Sequence, residues 1–273
     1  MALTSKNYTQ EVTSKMTTGI DVSEHNGIIN WEEVKKHIGF AIIRAGYGQG
    51  NVDKQFNRNT SECIRLKIPF GVYWFSYAHS KQEAKNEAIC CMAQIKGIKL
   101  DYPIFFDFEE ESYRNIQRSG VTNVNPCELA NAFFESLKAL NFKCGLYTNQ
   151  NCLNMWYRPI FRNQFLWLAT WSDKKPNIDC DIWQNSDCGN IAGVSTIVDT
   201  NICYTNFLDP NNKINENTAF DKEWDKQKER YRKLVTQILA GSWGNGSERI
   251  HNLTLHGYDA TLAQLLVNAE LRG

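Results

Sequence analysis

At 273 residues, with 42% hydrophobic and 22% charged side chains, the chain has room for one large globular domain and a small one. Thirty basic residues balance thirty acidic ones, so charge makes no case for nucleic acid or an anionic membrane as partner. No stretch of about 18 apolar residues occurs, so no membrane span is expected. Residues 1–16 are polar and patternless and read as a tail.

Eight short apolar segments follow: GIDVS (19–23), FAIIRAG (40–46), FGVYWFSYA (70–78), YPIFFDFE (102–109), KCGLYTN (143–149), FLWLATW (165–171), CDIWQNS (180–186) and STIVDTN (195–201). Their β-branched and aromatic content predicts strands. Helical patterns separate the early ones, at 31–38, 53–67, 81–97 and 126–141, with a shorter one within 152–160. Strand-helix alternation implies parallel βαβ units. After the fifth unit the gaps are too short for crossover helices of about a dozen residues, so the last three strands should connect by turns. The expected fold is α/β: an irregular TIM-like barrel of five βα units and three further strands, with an open sheet as the alternative.

Composition changes at DPNNKINENT, which reads as a linker. Three helical patterns then end the chain: one stopping at Gly241, one over 247–257 capped by Ser247, and one over 259–272 capped by Asp259. The expected division is a tail at 1–16, a barrel at 17–207, a linker and connecting helix at 208–228, and a small three-helix module at 229–273.

The chemistry is concentrated where Asp107 and Glu109 close the fourth strand. Residues two apart on a strand face the same side, about 7 Å apart. A buried unpaired carboxylate costs several kcal/mol, so two together need a reason. Catalysis supplies one, because like charges push one pKa up and leave a proton donor beside an ionised partner. The plainer alternative puts Glu109 past the strand, solvated in the acidic turn that follows. Asp21 and Asp199 also sit at strand ends, where barrel active sites collect. Trp167, Trp171, Trp183, Tyr73 and Tyr147 lie near strand ends as well, and flat rings beside carboxylates suit a sugar chain. Core filling is the competing role for these rings.

Other chemistries find no support. The five histidines form no metal-binding spacing, and there is no GxSxG or phosphate-cradling loop. Neither metal nor cofactor is expected. Nine cysteines, an odd number without a CxxC pair, read as small buried hydrophobes in a reduced compartment.

GIDVSEHNG, FAIIRAGYGQGNVD, IPFGVYWFSYA, YPIFFDFEEE, CGLYTNQ, FLWLATW, DIWQ and VDTN occur in one order over residues 18–207. Together they resemble the lysozymes of glycoside hydrolase family 25. The resemblance implies cleavage of the β-1,4 bond between N-acetylmuramic acid and N-acetylglucosamine in peptidoglycan. It makes Glu109 the general acid/base and Asp107 its partner, stabilising charge or orienting the substrate acetamido group. Asp21 and Asp199 complete the carboxylate ring. Relatives often carry Tyr-His-Phe where this chain has Tyr73-Trp74-Phe75.

The C-terminal GSWGNG loop, the Arg249 to Leu253 spacing and the GYD turn resemble a short wall-binding repeat of phage lysozymes. Trp243 would either stack on a sugar or pin the three helices together. A single repeat raises the expectation of self-association for avidity. The N-terminus lacks the apolar core of a secretory leader. The expectation is therefore an endolysin held in the cytoplasm until a holin releases it to the wall. A non-catalytic glycan binder and a glucosaminidase or chitinase-like hydrolase are the alternatives.

Overall fold

The computed structural model describes residues 16–209 and 218–270. All but the last residue of the expected tail, and most of the Asn-rich linker, lie outside them.

The strands are β1 (Thr17–Val22), β2 (Phe40–Tyr47), β3 (Asn51–Val52), β4 (Phe70–Phe75), β5 (Ile104–Asp107), β6 (Cys144–Asn149), β7 (Phe165–Ala169), β8 (Ile182–Gly189) and β9 (Val198–Cys203). β1 pairs with both β2 and β9, so eight strands close into a barrel and β3 hangs on the edge of β2. All eight expected strands are present. The two-residue β3, built on the Gly48–Gly50 turn, is additional.

The main helices are α1 (Trp31–Val34), α2 (Phe56–Leu66), α3 (Lys81–Gln94), α4 (Glu110–Arg118), α5 (Pro126–Lys138) and α6 (Gln150–Cys152), the last running into a π-type turn over Leu153–Tyr157. Pro126 occupies the first turn of α5, where its missing N–H costs nothing. The sequence reading includes no α4 and offers a solvated acidic turn here only as an alternative; buried Ser112 and Ile116 anchor the helix.

From β1 to β8 the ladder is parallel throughout. The β7–β8 connection is not a tight turn: residues 170–181 cross over without a helix. Of the eight barrel strands only β9 runs antiparallel, to β8 and to β1, and the edge strand β3 pairs antiparallel with β2.

Side chains alternate between two packed layers. Phe40, Ile42, Phe105, Tyr147, Trp167 and Ile182 fill the barrel interior. Ala41, Ile43, Phe106, Leu146, Leu168 and Trp183 face the helices. Gly145 has no side chain because the Phe105 ring occupies that space; a Cβ there would lie 2.4 Å from it.

The C-terminal helices are α7 (Thr218–Leu239), α8 (Gly246–Leu255) and α9 (Ala260–Glu270). α7 runs straight through the expected boundary at residue 228. Ser247 does not cap α8; Asn245 holds that position. Asp259 does cap α9, accepting from Leu262 N at 2.9 Å. Tyr231, Leu234, Val235 and Ile238 of α7, Leu253 of α8, and Leu266 and Val267 of α9 are buried. α9 also packs on α3, and Lys96 pairs with Asp225. These helices therefore rest on the barrel rather than hanging from a tether.

Candidate active site

The top of the barrel interior is a groove of about 530 Å³ whose lining includes Asp21, Arg44, Tyr73, Asp107, Glu109, Tyr147, Trp167, Gln184 and Asp199. Asp107 ends β5 with its carboxyl buried, and its Oδ1 meets no hydrogen-bond partner. Glu109 is not in the strand. It stands as the N-terminal cap of α4, but its backbone stays extended (φ −122°, ψ −175°), so the side chain still alternates into the groove. Glu109 therefore lies past the strand, as the plainer alternative has it, but half-buried against the groove rather than fully solvated.

Asp21 reaches the groove from β1. Its Oδ2 accepts from Asn201 Nδ2 at 2.8 Å and from Gln184 Nε2 at 3.0 Å. The same Gln184 amide donates to Asp199 Oδ2 at 3.3 Å. Asp199 arrives by a route the sequence did not reveal. It lies near the start of β9, not at its C-terminal end, and antiparallel pairing sets it directly opposite Asp21. The barrel rule about C-terminal strand ends thus gave the right mouth for the wrong reason.

Four acids in one groove shift one another. Burial, then the Glu109 and Asp21 charges, push Asp107 well above the usual carboxylate range, with Arg44 opposing. Burial, then Glu110 and Glu111, raise Glu109 to about 7. Burial and Asp21 raise Asp199 to about 8. Burial raises Asp21 to about 6 against the pull of its amide donors. The groove thus retains protons at neutral pH that solvent-exposed carboxyls would release.

The rings divide between walls and scaffold. Tyr73 lines the groove with its ring edge-on to Trp167, and the Tyr147 hydroxyl donates to Gln184 Oε1 at 3.0 Å. Trp167 is almost wholly buried and holds Asn201 through a 2.7 Å bond from Nε1. Trp171 is 61% exposed beyond β7, with its indole N–H on Gln184 Oε1 at 3.3 Å.

Trp183 does not join the groove. Gln184 points inward, so its neighbour must point outward, where the indole N–H bonds Thr170 O. Trp243 is also elsewhere, in the loop before α8. It bonds Gln237 and packs edge-on against Tyr258 and His256, which pins the helices together.

Sequence reasoning passed over four polar groups here. Gln184 was visible as an amide inside the apolar CDIW segment. Asn201 and Arg44 were visible as polar residues in phase with the inward-facing positions. Arg44 is held by Asp53 at 2.7 Å and Glu24 at 3.1 Å. Tyr157, whose hydroxyl donates to Phe108 O at 3.0 Å next to Glu109, gave no such signal. All nine cysteines are free; Cys188 is exposed, Cys127 half-buried, and the others buried. No helix among the described residues is long and apolar enough to cross a membrane.

Comparison with known proteins agrees with this fold. The profile described as "Glycosyl hydrolases family 25" matches residues 20–194, and that of the "CW_7 repeat" matches residues 232–271. Lysozyme M1 of Streptomyces globisporus is 27% identical over 197 residues, covering 67% of this chain and 66% of that protein. The autolysin LytC of Streptococcus pneumoniae, solved with a synthetic peptidoglycan ligand, is 26% identical with a TM-score of 0.59 over 69% of this chain. The match spans 47% of LytC, about half its length. The catalytic domain of the endolysin ply40 from bacteriophage P40 of Listeria monocytogenes shares the fold at 23% identity. Its TM-score is 0.63, over 71% of this chain and 96% of that domain.

Proposed function

The chain belongs to glycosyl hydrolases family 25, and on that premise we propose that it is a muramidase. Its substrate is peptidoglycan, cut at the β-1,4 bond from N-acetylmuramic acid to N-acetylglucosamine. The observation that carries this is Asp107 with an unpartnered oxygen in the groove, beside a Glu109 that holds its proton to about pH 7.

Glu109 donates its proton to the glycosidic oxygen as the bond to the sugar C1 breaks. The 2-acetamido oxygen of the same sugar attacks C1 and carries the developing charge. Asp107 accepts the acetamido N–H and offsets that charge. Glu109, now ionised, then takes a proton from the water that opens the cyclic intermediate, so the configuration is retained.

Asp107 is the deeper of the two, and burial holds its proton above the usual carboxylate range. A hydrogen bond from the acetamido N–H favours its ionised form, so substrate binding leaves the proton to Glu109. Asp21 and Asp199, bridged by Gln184, act as positioning residues along this wall. Tyr73 offers ring surface to the sugars, buried Tyr147 and Trp167 back it, and exposed Trp171, bonded to Gln184, extends it beyond the groove.

The domain reading is a catalytic barrel at 17–207 joined through 208–228 to a wall-binding module at 229–273, supported by the CW_7 match at 232–271. A wall-cutting groove and a wall-binding repeat in one chain support an endolysin role, lysing cells once released to the wall.

Reducing-end analysis of digested walls tests the activity. Muramic acid termini are expected. Glucosamine termini would assign a glucosaminidase, and intact walls a non-catalytic binder.

A further inference from the structure

Glu87 of α3 is completely buried and takes no part in the chemistry above. A buried carboxyl costs several kcal/mol, and a methyl-bearing side chain would fill the same space without that cost. Its placement supplies a reason. Glu87 Oε1 accepts from Tyr77 N at 3.0 Å. Tyr77 lies just beyond β4, where no neighbouring strand is available to its amide, and Glu87 acts as a surrogate for the missing ladder.

The loop held in this way is part of the groove. Tyr77 lines it together with Phe75 and Tyr47. Ring centroids lie 5.1 Å apart between Phe75 and Tyr77 and 6.4 Å apart between Tyr47 and Tyr77, so the three make one aromatic wall. The same loop is tied to the strand that carries Asp107, since Ser76 N donates to the Asp107 backbone carbonyl at 2.7 Å. Gly48 N donates to Phe75 O at 2.9 Å and ties in the β2–β3 turn.

We propose that Glu87 is a positioning residue for glycan binding: from α3 it fixes Tyr77 and so sets the aromatic wall beside Asp107. The glycan class rests on the muramidase reading. The hold on Tyr77 does not. Burial raises the Glu87 pKa to about 8, so the side chain is mainly neutral at pH 7. The Ser76 hydroxyl and Gln49 amide lie beside the carboxyl, though neither meets Oε2 in hydrogen-bond geometry.

Two substitutions of similar volume separate positioning from packing. Glu87→Gln keeps an acceptor for Tyr77 N, whereas Glu87→Met does not. With purified walls as substrate, the Gln variant should match wild type. The Met variant should raise KM by about tenfold with kcat little changed, the signature of lost uniform binding. Tyr77→Ala should raise KM similarly, and Glu87→Met should add nothing to it.

Equal activity of the Met and Gln variants would overturn the proposal. So would a loss confined to kcat, or independent effects of the Glu87 and Tyr77 changes. If the Met variant does not fold, or wild type releases no muramic acid termini, amide exchange in wild type decides. A Tyr77 amide protected like the strands supports the hold, and exchange as fast as in an open loop refutes it.

Discussion

Replacing Glu109 with glutamine removes the proposed proton donor, keeps the side-chain volume, and should make the protein more stable while abolishing its activity. The folded carboxyl keeps its proton to about pH 7, whereas the unfolded one releases it near its ordinary 4.5. Between those values folding takes up a proton, so wild-type stability falls as pH rises from 4.5 to 7 and levels off above. The full shift corresponds to about 3 kcal/mol. Glu109 retains some solvent contact and shares its penalty with Asp107, so a gain of about 1–3 kcal/mol at pH 8 is the working figure.

At pH 4 both side chains are neutral and the gain should vanish. Urea unfolding of both proteins at pH 4 and pH 8 reads the difference directly. Wall lysis should fall about 10²–10⁴-fold. A glutamine variant that is equally stabilised at both pH values, or destabilised at pH 8, would refute the burial argument. One that retains a tenth of wild-type lysis would refute the acid assignment.

Gln184→Leu takes a donor from both Asp21 and Asp199. At about 0.5–1.5 kcal/mol per bond, kcat/KM on walls should drop on the order of tenfold, and an unchanged value would remove Gln184 from the machinery. Trp171→Ala should leave the melting temperature within experimental error, because the ring is mostly exposed, and should raise KM; a thermal loss would make it scaffold. Deleting residues 229–273 should weaken wall binding more than it slows cleavage of soluble fragments, and should also lower the melting temperature because α9 no longer covers α3. An unchanged melting temperature would mean that the packed contact is idle. A single repeat gains avidity only by self-association, so light scattering should show concentration-dependent dimers; monomer at all working concentrations would reject that.

The strands were legible because barrel strands are apolar on both faces, and that signal survives in YPIFFDF and FLWLATW without any helper. Asp107 and Glu109 were legible because charge is out of place there. What the sequence concealed depends on direction and distance. Nothing in VDTN says whether β9 runs up or down, yet that decides which end of the strand carries Asp199 to the mouth. Trp183 and Gln184 are neighbours, and only the observed register tells which of them faces inward. α4 was hidden because an acidic first turn resembles a solvated loop until Ile116 is seen buried. Glu87 gave no signal, being one of several charges in the helical pattern at 81–97.

The ring closes at β9, the last barrel strand to leave the ribosome. A nascent chain that stops short of residue 198 already contains both Asp107 and Glu109. It lacks the strand that bridges β8 to β1, and with it Asp199 and the Asn201 amide that holds Asp21. The full carboxylate ring of the groove is therefore complete only at the end of barrel synthesis, long after Glu109 has been made.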